Sequence, residues 1–187
     1  MEFHGLDIAG PFLIQPPRRG DHRGYFAETF RSDLFAKAVG ETVFVQDNES
    51  LSAKTGTVRG LHFQTDPFAQ AKLVRCVAGA LFDVAVDIRT GSPTYGKWVA
   101  AELSAENGKQ LWVPPGFAHG FCTLAPDTVL SYKVTAYYSA ENDKGLAWDD
   151  PVIAIDWPIV ADPETLSPKD RVQPKLAELP VHFSYKG

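Results

Sequence analysis

Two imidazoles, an ammonium and a guanidinium stand out in this chain for the chemistry they could do together. Arg59 and His62 lie three residues apart in Val58-Arg59-Gly60-Leu61-His62-Phe63-Gln64. Gly60 between them lets a second backbone or a ligand approach closely. Lys72 follows ten residues after His62, in Gln70-Ala71-Lys72-Leu73-Val74-Arg75, and His119 comes in Pro114-Pro115-Gly116-Phe117-Ala118-His119-Gly120. Taken singly, each is as readily an ordinary histidine or a surface cation. Together, an imidazole base and a fixed ammonium suit removal of a proton from carbon beside a carbonyl. His62 would take the proton, and Lys72 would stabilise the enolate oxygen that forms. A positioned base contributes about 10²–10⁴-fold, and a donor aimed at an oxyanion about 3–4 kcal/mol. Reprotonation on the opposite face inverts the carbon and needs a second, weaker acid there. Tyr132, in Leu130-Ser131-Tyr132-Lys133-Val134, is the candidate, since a phenol held near the carbon can donate. On position alone it reads as a core or edge-strand tyrosine.

A metal is the competing reading. The stretch from Trp112 to His119 resembles the second motif of the cupin superfamily, a proline-glycine turn followed by a histidine inside a small barrel. The first cupin motif has two histidines one residue apart, then a carboxylate, then a glycine after six more residues. Here His62 fills the first ligand position and Gln64 the second. Lys72 stands at the carboxylate position, with Gly79 following after six residues, although the gap from Gln64 is longer than usual. A divalent ion wants deprotonated imidazole or carboxylate ligands, and an ammonium has no lone pair to give. The expectation is no metal and no cofactor, with a fixed cation where a metal cupin keeps its ion.

These side chains need a scaffold of short strands, and the sequence supplies one. Runs with β character are Phe12–Ile14, Val43–Gln46, Thr57–Gln64, Lys72–Val77, Leu81–Ile88, Trp98–Leu103, Gln110–Val113, His119–Leu124 and Val129–Tyr138. Breakers such as Ala78-Gly79, Gly91-Ser92-Pro93, Glu106-Asn107-Gly108 and Ala125-Pro126-Asp127 separate them. Many short strands spaced by turns predict an all-β antiparallel sandwich or barrel. In Leu81–Ile88 the alternation sends Phe82, Val84, Val86 and Ile88 to one face, which is core. Asp83, Ala85 and Asp87 go to the other, facing solvent or a polar cavity, where Asp83 could hydrogen-bond one of the histidines. Arg18 to Gly24 reads as a polar turn. Ser32 as N-cap and Gly40 at C′ predict one helix between them, with Leu34, Phe35, Ala38 and Val39 on its apolar face. Ile153 and Ile155 suggest a last strand. Ser167-Pro168 suggests a capped helical turn through Lys169, Asp170 and Arg171.

The bulk properties limit the function classes. The 187 residues suffice for one buried domain, with no repeat and no linker, so a single domain spanning 1–187 is expected. A net charge of −5 argues against nucleic acid as a partner, which wants a basic face, yet allows a local cationic pocket for a small anion. Cys76 and Cys122 have no metal-ligand spacing and read as a free pair in a reducing compartment. No apolar run nears the roughly 18 residues a membrane helix needs, and Met1-Glu2-Phe3-His4 has no signal-peptide character. A cytoplasmic protein that does not engage membranes is expected.

Over nearly its whole length the chain resembles the dTDP-4-dehydrorhamnose 3,5-epimerase family. The matching stretches include Gly24-Tyr25-Phe26, Gln46-Asp47-Asn48, Val58 to Gln64, Gln70 to Arg75, Asp83 to Arg89, Gly91 to Gly96, Pro115 to Phe121, Trp148-Asp149-Asp150-Pro151 and Leu166-Ser167-Pro168-Lys169-Asp170. The resemblance implies a double-stranded β-helix, or jelly roll, that works as a homodimer without metal or cofactor. It implies inversion of carbons 3 and 5 of a dTDP-4-keto-6-deoxy-hexose. It makes His62 the general base with Asp170 its carboxylate partner, Tyr132 the acid on the other face, and Lys72 the enolate-stabilising cation. Without it, Asp170 reads as a carboxylate favoured at a helix start. His119 and Arg59 are implied as contacts to the diphosphate or the sugar, a task suited to the planar fork of Arg. Arg23, Phe26 and Glu28, with Gln46 and Asn48, are implied as nucleotide contacts, the N-terminal segment reaching across the dimer. In their own right Arg23 is a turn cation, Phe26 is core, and Gln46 and Asn48 close a strand. Lys169 goes with this set. Tyr138, Glu141 and Asp143 are available for the thymine side, with Asp at 143 where the family leads one to expect Glu. Ala147 stands where an Arg is common.

Overall fold

The computed structural model describes residues 1–187. The chain opens with β1 (Glu2–Gly5), β2 (Phe12–Gln15), the hairpin pair β3 (Arg18–Asp21) and β4 (Gly24–Ala27), and helix α1 (Ser32–Ala38). Then come β5 (Gln46–Ser52), β6 (Val58–Gln64), β7 (Lys72–Ala78), β8 (Ala80–Asp87) and β9 (Arg89–Thr90). They are followed by β10 (Trp98–Ser104), β11 (Gln110–Val113), β12 (Phe117–Thr123), β13 (Thr128–Val134) and β14 (Asp143–Gly145). A tail with three short 3₁₀ turns ends in β15 (Phe183–Ser184). No helix is long and apolar enough to cross a membrane.

Two antiparallel sheets face each other. One runs β1-β2-β11-β7-β13-β5 and the other β10-β8-β12-β6-β14. Inward side chains from both, including Val74, Cys76, Leu81, Ala85, Leu111, Phe121 and Leu130, form the core that fills one end of the sandwich. Each sheet is also covered outside. Helix α1 lays Phe35 on Trp112 and Leu73 of the first sheet, with the Phe35 and Trp112 rings edge to face at 5.0 Å. The tail lays Ile153, Leu176 and Phe183 on Leu61, Phe63, Val84 and Val86 of the second. This is the all-β, cupin-like jelly roll expected from the sequence.

Several local expectations change. The strand expected at Val43–Gln46 starts only at Gln46 and runs on to Ser52, because pairing with β13 begins at Val134↔Gln46. The strand read as reaching Tyr138 stops at Val134. Residues 18–27 form a hairpin, so Arg18–Gly24 is more than a turn. Ser32 is the first helical residue, not the cap; Arg31 takes that place, with its guanidinium on Asp33. No strand forms at Ile153–Ile155. The Asp150 carboxylate accepts from the backbone N–H of Val152 and Ile153, closing a turn there instead. The polar face of β8 meets neither solvent nor an open cavity alone: Asp83 and Asp87 are fully buried. Near 170 the 3₁₀ turn runs Asp170–Val172 with Lys169 at the cap position, two residues later than expected, although Ser167 Oγ accepts from Asp170 N–H.

Candidate active site

The unfilled end of the sandwich is a cavity of about 230 Å³ lined by Gln46, Asn48, His62, Phe63, Gln64, Gln70, Lys72, Tyr132, Tyr138, Asp143 and Lys169. Strand alternation explains most of the list. Along β5, β7 and β13 the inward positions are Gln46 and Asn48, Lys72, and Tyr132, and the ladder sets Tyr132 opposite Asn48 and Val134 opposite Lys72. The other wall is β6, where alternation alone fails. Pairing with β12 is His119↔His62 on one side of Gly60 and Phe121↔Arg59 on the other, a slip of one residue. A bulge of this kind reverses the alternation. Val58, Leu61 and Phe63 therefore all pack outward, while Arg59 and His62, three residues apart, serve the same face. Gly60 allows it: with φ +115°, a Cβ there would lie 2.7 Å from Gly120 Cα and 2.8 Å from the His119 carbonyl oxygen. This is the close backbone approach that its place between Arg59 and His62 suggested.

His62 is a third exposed, and its Nε2 lies 2.6 Å from Asp170 Oδ1. Asp170 is only 4% exposed. Burial pushes its carboxyl up, but the His62 hydrogen bond and charge, with the Gly60 N–H and the Ser167 side chain, outweigh that and hold it below the usual carboxylate range. The tail delivers it. Val58 N–H donates to Thr165 Oγ1 on one side of the Asp170 turn. On the other, Leu176 N–H donates to buried Asp150 and Ala147 N–H to the Pro174 carbonyl.

Across the cavity, burial pushes the Lys72 ammonium down to about 8. The carboxylates of Asp143 and Asp83 oppose that, and the charge of Lys169 adds to it. Burial pushes the Tyr132 phenol up; nearby Arg59 works against this and Asp143 with it. The Tyr132 hydroxyl makes no hydrogen bond within the chain. Arg59 is exposed and does not line the cavity; it donates from Nε to Ser52 Oγ at 3.0 Å and from Nη2 to the Leu51 carbonyl at 3.1 Å. At the mouth, Asp143 accepts from Tyr138 Oη at 3.2 Å and pairs with Lys169.

His119 sits beside His62 on the neighbouring strand, but buried and outside the lining, its Nε2 2.7 Å from Asp83 Oδ1. Asp83 thus meets a histidine, as its alternation suggested. Its second oxygen is the one buried side-chain oxygen or nitrogen without a partner. Glu141 is exposed and does not line the cavity. Arg23, Phe26 and Glu28 are not brought to it in the single chain. They ride on or just after the β3–β4 hairpin, with Arg23 held by Asp21 at 2.6 Å. Phe26, read in its own right as core, is 67% exposed on a hairpin that pairs with neither main sheet. Gln70, which its sequence context does not mark as a site residue, lines the cavity. It precedes β7, outside any strand, and its Nε2 donates to the Ala136 carbonyl, so no local pattern places it there. No group of three or more His, Cys, Asp or Glu is placed to hold a metal ion.

Residues 5–178 match the family model described as dTDP-4-dehydrorhamnose 3,5-epimerase. A dTDP-4-dehydrorhamnose 3,5-epimerase of Sinorhizobium fredii is 66% identical over 185 residues, covering 99% of this chain and 94% of the relative. A dTDP-4-dehydrorhamnose 3-epimerase of Streptomyces niveus is 40% identical over 95% of this chain and 85% of its own length. Among solved structures, dTDP-6-deoxy-D-glucose-3,5-epimerase of Legionella pneumophila in complex with dTDP-4-keto-L-rhamnose superposes with a TM-score of 0.93. It is 41% identical, with 100% of this chain and 99% of that one covered.

Proposed function

The chain belongs to the dTDP-4-dehydrorhamnose 3,5-epimerase family, and from that premise we propose that it inverts carbons 3 and 5 of dTDP-4-dehydro-6-deoxy-D-glucose on the route to dTDP-L-rhamnose. The observation that carries the proposal is the pair of opposed walls. The His62–Asp170 pair stands on one, and Lys72 and Tyr132 stand on the other. With its Nε2–H given to Asp170, the His62 ring keeps a lone pair on Nδ1. That nitrogen takes the proton from the carbon beside the 4-keto group, and Asp170 stabilises the imidazolium that results. The electrons move onto the 4-oxygen, where the Lys72 ammonium meets the developing charge. Tyr132 returns a proton from the other side. Its raised pKa keeps it a phenol, and so a donor, at neutral pH. Nothing in these steps needs a metal or a cofactor, since Lys72 and Gln64 stand where a cupin metal would find ligands.

In the same reading Arg59, His119, Gln46, Asn48, Tyr138, Asp143 and Lys169 bind the nucleotide diphosphate and sugar. Arg23, Phe26 and Glu28 do so from the partner subunit of a homodimer, since in one chain none of them lines the cavity. A single domain and a cytoplasmic location go with this reading. A single-carbon epimerase is the second reading, favoured by the Streptomyces niveus relative. One experiment separates the two: incubation with the 4-keto sugar nucleotide in deuterated water, followed by NMR at carbons 3 and 5. Deuterium at both supports the double epimerase and at one the single. Its absence from both refutes the proposal. His62→Ala should stop exchange at both positions.

A further inference from the structure

Gln64 stands two residues from His62 and borders the cavity, yet all its bonds run sideways. It is 4% exposed. Its Nε2 donates to the Phe68 carbonyl at 2.7 Å and to the Tyr137 carbonyl at 3.1 Å. Its Oε1 accepts from Ser139 N–H at 2.8 Å. Both amide hydrogens are therefore spent on main chain, leaving no donor for a ligand. Phe68 lies in the loop from β6 to β7, and Tyr137 and Ser139 lie in the loop from β13 to β14. The same two loops are joined again by Asn142, which lies outside the cavity lining. Its Nδ2 donates to Thr65 Oγ1 at 3.0 Å and to the Asp66 carbonyl at 2.9 Å.

From these contacts we infer that Gln64 is a positioning residue, which ties two loops into one rim and thereby sets where the nucleotide end of the cavity lies. The rim carries Tyr138, whose N–H donates to Gln46 Oε1 at 3.3 Å and whose hydroxyl donates to Asp143. Asp143 in turn pairs with Lys169. Moving the rim moves all four cavity residues and leaves His62, Lys72 and Tyr132 on their strands. Only an amide does this work at 64. A glutamate keeps the shape but sets one carboxylate oxygen against two carbonyls that need a donor, and a charge at a residue only 4% exposed is left facing acceptors, which is costly.

The inference rests on the epimerase reading, and its test keeps the two apart. The full-length protein is prepared as wild type, Gln64→Glu and Asn142→Ala. Affinity for dTDP is measured by calorimetry, and kcat and KM with the 4-keto sugar nucleotide. Both variants should bind dTDP more weakly and raise KM by on the order of tenfold, with kcat within about threefold of wild type, since the reacting groups stay on their strands. Asn142→Ala excludes a direct contact of residue 64 with substrate as the cause, and it carries the test alone if Gln64→Glu does not fold. Unchanged dTDP affinity in a folded variant overturns the inference, as does a fall in kcat at constant KM. A wild type that neither binds dTDP nor exchanges deuterium sinks the epimerase reading itself.

Discussion

Lys72→Met tests the central electrostatic argument because it should make the protein more stable and less active at once. Lys72 is an ammonium taken into the barrel, and its pKa falls from 10.5 to about 8. Below pH 8 the folded chain carries the full cost of that desolvation. That depression corresponds to an upper figure of about 3 kcal/mol, reduced to about 1–3 kcal/mol because part of the side chain reaches the open cavity. The sign is fixed by the depressed value. The unfolded chain binds the extra proton between pH 8 and 10.5, so the penalty is complete below 8 and disappears by 10.5. Methionine nearly matches the length and volume of the lysine stem and carries no charge. Lys72→Met should therefore raise the midpoint of thermal unfolding at pH 7 by several degrees, at about 2–4 °C per kcal/mol for a chain of this length. The gain should shrink as the pH rises towards 10.5. The same change removes the donor to the enolate oxygen and should lower turnover by about 10²–10³-fold. Denaturation at matched protein concentration and deuterium exchange read the two effects. A variant less stable than the parent at pH 7, or one that exchanges at the parental rate, refutes the reasoning.

Other outcomes follow from the same geometry. Tyr132→Phe should lower inversion by roughly 10²–10⁴-fold, at carbon 5 above all, while deuterium exchange survives better; parental behaviour would remove Tyr132 from the acid role. Asp170→Asn leaves the His62 imidazolium without its counter-charge and should cost a similar factor in kcat. In the parent, stability from this carboxylate is in place above its unfolded value near 3.8 and is lost only as pH falls through the lower folded value, so an acid titration of unfolding should lose that low-pH step in the variant. Phe26→Ala removes a ring that is 67% exposed in the single chain and should leave the fold intact. If the ring is buried in a partner, sedimentation should show a dimer weakened by about 1–3 kcal/mol, with poorer dTDP binding.

The strand pattern of the sequence carried the sandwich because alternation and turn residues act locally. It failed where long-range packing decides. Ile153 and Ile155 alternate like a strand, but the Asp150 carboxylate takes the amides a strand would need. Leu81–Ile88 looked half-exposed on its Asp83, Ala85 and Asp87 side, yet Ala85 packs in the core between the sheets, and Val84 and Val86, read as the core side, are covered from outside by the tail. The site divides in the same way. His62, Lys72 and Tyr132 were singled out by type and spacing, and one cavity contains all three. Asp170 was legible only through the family resemblance. Between residues 62 and 170 lie 107 residues, and no local signal says that a 3₁₀ turn will set this carboxylate against that ring. A one-residue bulge around Gly60 turns Arg59 and His62 to one face.

Substituting Lys72 and Gln64 at positions where a metal cupin keeps ligands changes two things together. A divalent ion would draw the two walls of the barrel onto itself and supply a fixed positive charge. An ammonium supplies the charge but draws nothing together, so walls and loops must be held by other means. Gln64 meets that need with hydrogen bonds, tying the loop after its own strand to the loop after β13. The tail meets it on the other side, where Thr165 and Asp150 anchor the chain around Asp170. Charge and cross-linking, which one ion would combine, are here divided among separate residues. Loss of the charge at 72 should then leave the cavity's shape intact, and loss of the tie at 64 should leave the charge intact. Lys72→Met and Gln64→Glu should accordingly fail in different kinetic constants, the first in kcat and the second in KM.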